Sequence, residues 1–150
     1  MRKIVGTSLL LGLFIIVGCK NKEQKADKIL DAKTLMSGST DSFIGFWSLG
    51  DATGISGEFT DDAVRVISNS LNPIVGGEAI KKSFSETFLE GSNFKNSHIS
   101  VGIVETRLLS DEILIGAGTF KILDANNITL ETGKWGNVYR YKDGKVKFLL

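Results

Sequence analysis

The spacing of apolar residues changes character several times along the chain and divides it into segments. Ile4 to Val17 is almost wholly apolar, broken by Thr7, Ser8 and two glycines, and follows Arg2 and Lys3. Lys20 to Lys28 (KNKEQKADK) is polar throughout. Residues 29–60 show no strand-like alternation. Ile29, Leu30, Leu35 and Met36 fit one helical face, which Ser37-Gly38-Ser39 is expected to interrupt. Thr40 to Leu49 carries Phe43, Phe46 and Trp47 at spacings of three and four, the signature of an amphipathic helix. Gly50 ends that helix, and Asp51 is placed to cap a short one through Ile55 and Phe59. Ala63 to Ser68 alternates as a short strand, and Asn69 to Gly77, with the single Pro73, reads as a turn region. Glu78 to Leu89 places Ile80, Phe84 and Phe88 four apart on one helical stripe, and Gly91 stops it.

From Lys95 the period is two. A first long strand carries Ile99, Val101 and Ile103 on one face and turns at Ser110-Asp111. Glu112 to Ile122 is the second strand, where Gly116 and Gly118 predict a bend or a close backbone approach. Leu130 to Tyr141 is the third, Asp143-Gly144 is a type I′ hairpin signal, and Lys145 to Leu150 is the fourth. Helices followed by an antiparallel meander predict an α+β domain over residues 29–150, with N-terminal helices packed on a curved sheet. Such a sheet closes into a cone with an apolar interior.

Composition narrows the function classes. Hydrophobic residues make up 42% and charged residues 23% of the 150, ordinary for one globular domain. A net charge of +1 supplies no basic field for nucleic acid. One cysteine and one histidine exclude a disulfide framework and give no metal-ligand spacing, so neither metal nor cofactor is expected.

The apolar stretch from Ile4 to Val17 is about 21 Å long as a helix, short of a ~30 Å hydrocarbon core. A basic start, a short apolar run and small residues at its end have the form of a secretory signal. The end reads Ile16-Val17-Gly18-Cys19. It resembles the lipobox of bacterial lipoproteins, which implies a signal peptide over 1–18, cleavage after Gly18 and acylation of Cys19, with 19–28 as lipidated residue and tether. Cleavage would remove Arg2 and Lys3 and turn the net charge from +1 to −1. Several acyl chains, palmitate among them, hold a domain to a bilayer far better than one. The implied location is the bacterial envelope, with the bilayer as partner. Lys20, in place of the Asp that follows the cysteine in many inner-membrane lipoproteins, favours the outer membrane.

Four further segments carry a second resemblance. Trp47-Ser48-Leu49-Gly50-Asp51 is followed by Phe59-Thr60-Asp61-Asp62-Ala63-Val64, then Gly76-Gly77-Glu78-Ala79-Ile80, then Trp135 to Lys145. In that order they resemble the SnoaL-like, ketosteroid-isomerase-like branch of the nuclear transport factor 2-like superfamily, over about residues 40–150. The resemblance implies a cone-shaped, cystatin-like α+β fold with a deep pocket, and homodimers formed through the outer sheet face. Val146 stands where an aromatic residue is frequent, and the last strand looks clipped at Leu150. Each motif also has a plain structural role: Asp51 as a cap, Asp61 and Asp62 as turn residues, Gly76 and Gly77 as the entry to a helix.

Ketosteroid isomerases move a proton with an Asp base and an oxyanion hole of a Tyr and a protonated Asp. The matching positions here are Ser68 or Asn69 for the base and Phe43 for the Tyr, so that machinery is missing at both. Catalysis of an isomerase, dehydratase or cyclase kind would fall to Glu105, Glu131 or His98. His98 shares a strand face with Ser100 and Gly102, away from Ile99 and Val101. The pocket lining expected for a small apolar ligand is Phe43, Trp47, Phe59, Phe84, Trp135, Asn137 and Tyr139, with Asn137 as a polar handle between two aromatics.

Overall fold

The computed structural model describes residues 21–68 and 70–150. Its first element is one helix, α1, over Asn21–Leu49. The expected interruption at Ser37-Gly38-Ser39 does not occur, and residues 21–28, expected as a tether, are helical. The reason is the buried stripe. Ala32, Met36, Ser39, Thr40 and Trp47 are all buried, at spacings of three, four and seven, while Gly38 faces outward. A helical glycine costs about 1 kcal/mol relative to alanine, less than a continuous packed face contributes. The helix ends where Gly50 turns left-handed (φ 64°). The Gly50 N–H donates to Trp47 O and the Asp51 N–H to Phe46 O, both at 2.9 Å, which closes a Schellman motif.

Asp51 then caps α2 (Ala52–Gly57), its carboxylate accepting from the Gly54 N–H at 2.9 Å. Two short strands follow, β1 (Val64–Arg65) and β2 (Ile74–Val75), paired antiparallel as a small hairpin. The strand expected over 63–68 is thus cut to two residues, and the expected turn region supplies its partner. α3 (Gly77–Thr87) buries Ile80 and Phe84.

The main sheet is the meander β3 (His98–Leu108), β4 (Ile113–Leu123), β5 (Thr129–Lys142), β6 (Lys145–Phe148), in that order. Asp143 (φ 51°) and Gly144 (φ 75°) form the expected hairpin turn. On β3 a register shift lies between Ile103 and Glu105. It leaves Val104 75% exposed and Glu105 also outward, so the inward rows before and after it are Ile99, Val101, Ile103 and then Thr106, Leu108. A bulge of this kind bends a strand. Gly118 allows a close crossing at the same place: a side chain there would meet the Gly102 carbonyl and the Trp135 ring.

Helices α1, α2 and α3 and the inner sheet face enclose an aromatic core. Phe59 stacks on Phe148 with ring centroids 4.8 Å apart, Tyr139 lies 4.7 Å from Phe148, and Trp47 meets Phe88 edge-on at 5.1 Å. The segment leading into β1 is sewn to the last strand by Thr60 N–H to Phe148 O and Val64 N–H to Leu149 O. This seam fixes where β1 runs over the open end of the sheet.

Candidate functional site

A cavity of about 750 Å³ opens between α1, α3, β1 and the inner face of the sheet. Its walls follow from the periodicities. Phe43 and Trp47 are one turn apart on α1, Phe84 comes from the buried stripe of α3, and Ile99, Val101, Phe120 and Ile122 are inward rungs of β3 and β4. Phe59 and Phe148 close one side. On β5 the inward residues Glu131, Trp135, Asn137 and Tyr139 face the same space, paired in register with Ile122, Gly118, Gly116 and Leu114. All seven residues expected to line a pocket, Phe43, Trp47, Phe59, Phe84, Trp135, Asn137 and Tyr139, line this one.

The polar groups divide into spent and unspent. The Trp47 indole N–H donates to Ser97 Oγ at 3.0 Å, and Ser97 donates to Phe94 O at 2.7 Å, so that edge is structural. The Trp135 indole N–H donates to Thr119 O at 3.2 Å. Asn137 Nδ2 donates to the Tyr139 hydroxyl at 3.2 Å. Tyr139 is only 1% exposed, and burial pushes its phenol up to about 12, with the Asn137 hydrogen bond pulling the other way. At neutral pH it is a neutral donor and acceptor.

The lining also holds a cation that is not among the expected site residues. Arg65, on β1, is half-buried, and burial lowers its guanidinium to about 10. It donates through Nη1 to Ser83 Oγ at 2.8 Å and lies 4.2 Å from the centroid of the Phe84 ring. In the sequence it stands alone between Val64 and Val66, where an alternating strand presents a charge outward as readily as inward.

The remaining candidates fall elsewhere. His98 is exposed and does not line the cavity. Glu105 is exposed on the outer face and accepts from Arg107 Nε at 3.1 Å. Glu131 is the one carboxylate side chain among the lining residues, and it is exposed. Ser68 lines the cavity but carries no carboxylate, whereas Asn69 and Cys19 lie outside the described residues. Asp62 pairs with Arg140 at 3.3 Å outside the cavity. No group of three or more metal-ligating side chains occurs among the described residues.

A second, polar cleft of about 490 Å³ lies between α1, the end of α2 and the β5–β6 hairpin. There Ser39 Oγ donates to Glu58 at 3.4 Å. Burial raises the Glu58 carboxyl above its ordinary range, while Ser39, Lys147 and Lys145 pull it down.

The arrangement of the described helices and strands superposes on solved structures. The fold is the nuclear transport factor 2-like, cystatin-like one. An NTF2-like protein with a cystatin-like fold from Novosphingobium aromaticivorans superposes with a TM-score of 0.68 at 10% identity, over 88% of each chain. An NTF-2 like protein of unknown function from Shewanella oneidensis gives 0.66 at 13%, over 78% of this chain and 93% of that one. A protein from Catenulispora acidiphila solved in complex with S-DNPA gives 0.65 at 13%, over 80% and 90%. No family model matches the sequence, and no curated protein matches it. The α+β cone expected from the motifs is therefore borne out as a fold, at identities where fold is all that is shared.

Proposed function

We propose that this is a lipid-anchored protein of the bacterial envelope, attached through Cys19, whose NTF2-like domain binds a small, mainly apolar molecule in the 750 Å³ cavity. The observation that carries the binding reading is the lining: sixteen aromatic and aliphatic side chains, from two helices, five strands and the loops beside them, line one open space, against seven polar ones. Ligand sites have this make-up, an apolar wall with a small number of placed polar groups. The Catenulispora acidiphila protein of the same fold, solved with S-DNPA, supports the same use. The Gly18-Cys19 junction behind a short apolar run supports the anchor. No described helix is long and apolar enough to cross a membrane.

Both halves have direct tests. The full chain expressed in a Gram-negative host should partition into the detergent phase, and Cys19→Ala should move it to the aqueous phase; unchanged partitioning overturns the anchor. For binding, the full chain in mild detergent is screened by thermal unfolding against aromatic, steroid-like and alkyl compounds. A compound at 100 times its dissociation constant should stabilise by about 2.7 kcal/mol, a rise of several degrees. Silence across all three classes overturns the cavity's role.

A further inference from the structure

We infer that the ligand is an acid: an apolar body carrying one carboxylate, held by the guanidinium of Arg65 at the cavity wall. This rests on the reading of the cavity as a ligand site and goes further by naming the chemical class.

The guanidinium has five N–H donors in a rigid fork. One face packs on Phe84, and a single donor is used, on Ser83. No Asp or Glu among the described residues comes within salt-bridge distance of it. Buried cations in proteins are otherwise paired, because losing water without gaining an anion is unfavourable. Surface arginines escape this by reaching solvent freely, whereas Arg65 is half-buried against Phe84 and Ser83. Even so lowered, it stays fully protonated at neutral pH. The other charged lining residues, Glu131 and Lys134, are exposed, and Glu131 makes no ion pair with Arg65.

The neighbouring chemistry selects the rest of the molecule. Phe43, Trp47, Phe59 and Phe120 offer flat apolar walls, and the Tyr139 hydroxyl, which accepts from Asn137, keeps its own proton free to donate. A planar oxyanion matches the fork of Arg65 in two parallel hydrogen bonds, which an alcohol or an amine does not. The walls are mainly apolar, with sixteen aromatic or aliphatic side chains against seven polar ones, which disfavours sugars and free phosphate.

The chain reports its own binding, because both of its tryptophans, Trp47 and Trp135, line the cavity. The probes are two matched series, decanoate with 1-decanol and decylamine, and 2-naphthoate with 2-naphthalenemethanol and 2-naphthylmethylamine. They are titrated into the full chain in non-ionic detergent while tryptophan fluorescence is followed. In at least one series the carboxylate should bind about 10- to 100-fold more tightly than the alcohol, the range for a hydrogen bond to a charged group, and the amine should bind weakest. Arg65→Met should bring the carboxylate and alcohol affinities together, and Arg65→Lys should keep part of the preference for the carboxylate. The wild-type comparison stands even if a variant fails to fold. Alcohols binding as well as their carboxylates would overturn the assignment to Arg65 and leave the apolar cavity reading intact. No binding by any of the six would overturn both.

Discussion

Arg65 and Tyr139 share one cavity, and burial moves their ionisation in opposite directions, the guanidinium down to about 10 and the phenol up to about 12. An unfolded chain ionises its tyrosines near pH 10 and keeps its arginines protonated well above that. Between pH 10 and 12 the unfolded state therefore holds more protons at Arg65 than the native state does, and fewer at Tyr139. Stability rises with pH where the unfolded state binds more protons and falls where it binds fewer. Arg65 thus makes the protein more stable across this interval as pH rises, and Tyr139 makes it less stable. Removing Arg65 leaves the Tyr139 effect unopposed. Arg65→Met is expected to lose stability more steeply than wild type between pH 10 and 12, as read from denaturant midpoints; parallel profiles would contradict the burial of one group or the other. Absorbance near 295 nm gives a second view: a phenol still protonated at pH 11 should be seen in wild type and lost in Tyr139→Phe. The aromatic lining was legible from sequence because Phe43, Trp47 and Phe84 sit on helical stripes whose inward face is set by spacing. Arg65 was not, since a single charge in a two-residue strand carries no period. Its inward position depends on the Val64–Leu149 and Thr60–Phe148 bonds that place β1 across the cavity.

At the scale of elements, the crossing of β3, β4 and β5 is the tightest point of the fold. Gly118 is buried, and a methyl group there would collide with the backbone carbonyl of Gly102 as well as the Trp135 ring. Gly136, one strand away, has nothing within 4 Å of the same position. Gly118→Ala is expected to destabilise by about 1–3 kcal/mol, the usual cost of overpacking, or more where backbone must shift. Gly136→Ala should stay within about 0.5 kcal/mol of wild type, as exposed substitutions do. Equal midpoints for the two variants in urea would contradict this account of the crossing. The predicted strands and their turns were legible from alternation and from Asp143-Gly144. The continuity of α1 was not. Ser37-Gly38-Ser39 reads as a break by propensity, and only the packing of Met36, Ser39 and Thr40 against the rest of the core overrides it.

At the scale of the molecule, we propose that a second copy pairs through the exposed outer sheet face, the surface that the resemblance implies. Its rungs include Gly102, Val104, Ala117 and Thr119, small or apolar and all exposed. A dimer through this face should sediment at twice the monomer mass at micromolar concentration, and Ala117→Arg should return it to a monomer; a monomeric wild type at that concentration rejects the pairing. The cavity lies on the opposite, inner face, so a dimer of this kind would leave it uncovered.

The sequence alone determined the class of fold and most of the cavity wall. Helical and two-residue periods are local properties, and each one assigns an inward face before any partner is known. It also determined what is missing, because Phe43, Ser68 and Asn69 have no chemistry with which to move a proton as an isomerase does. Only the tertiary structure decided that α1 runs unbroken, that β1 finds a partner in β2, and that Arg65 is half-buried at the cavity with no carboxylate of the described residues in ion-pair reach. The first and third are settled by contacts between segments far apart in the chain and the second by a short hairpin, where packing and the surroundings of a charge outweigh the preferences of the residues themselves.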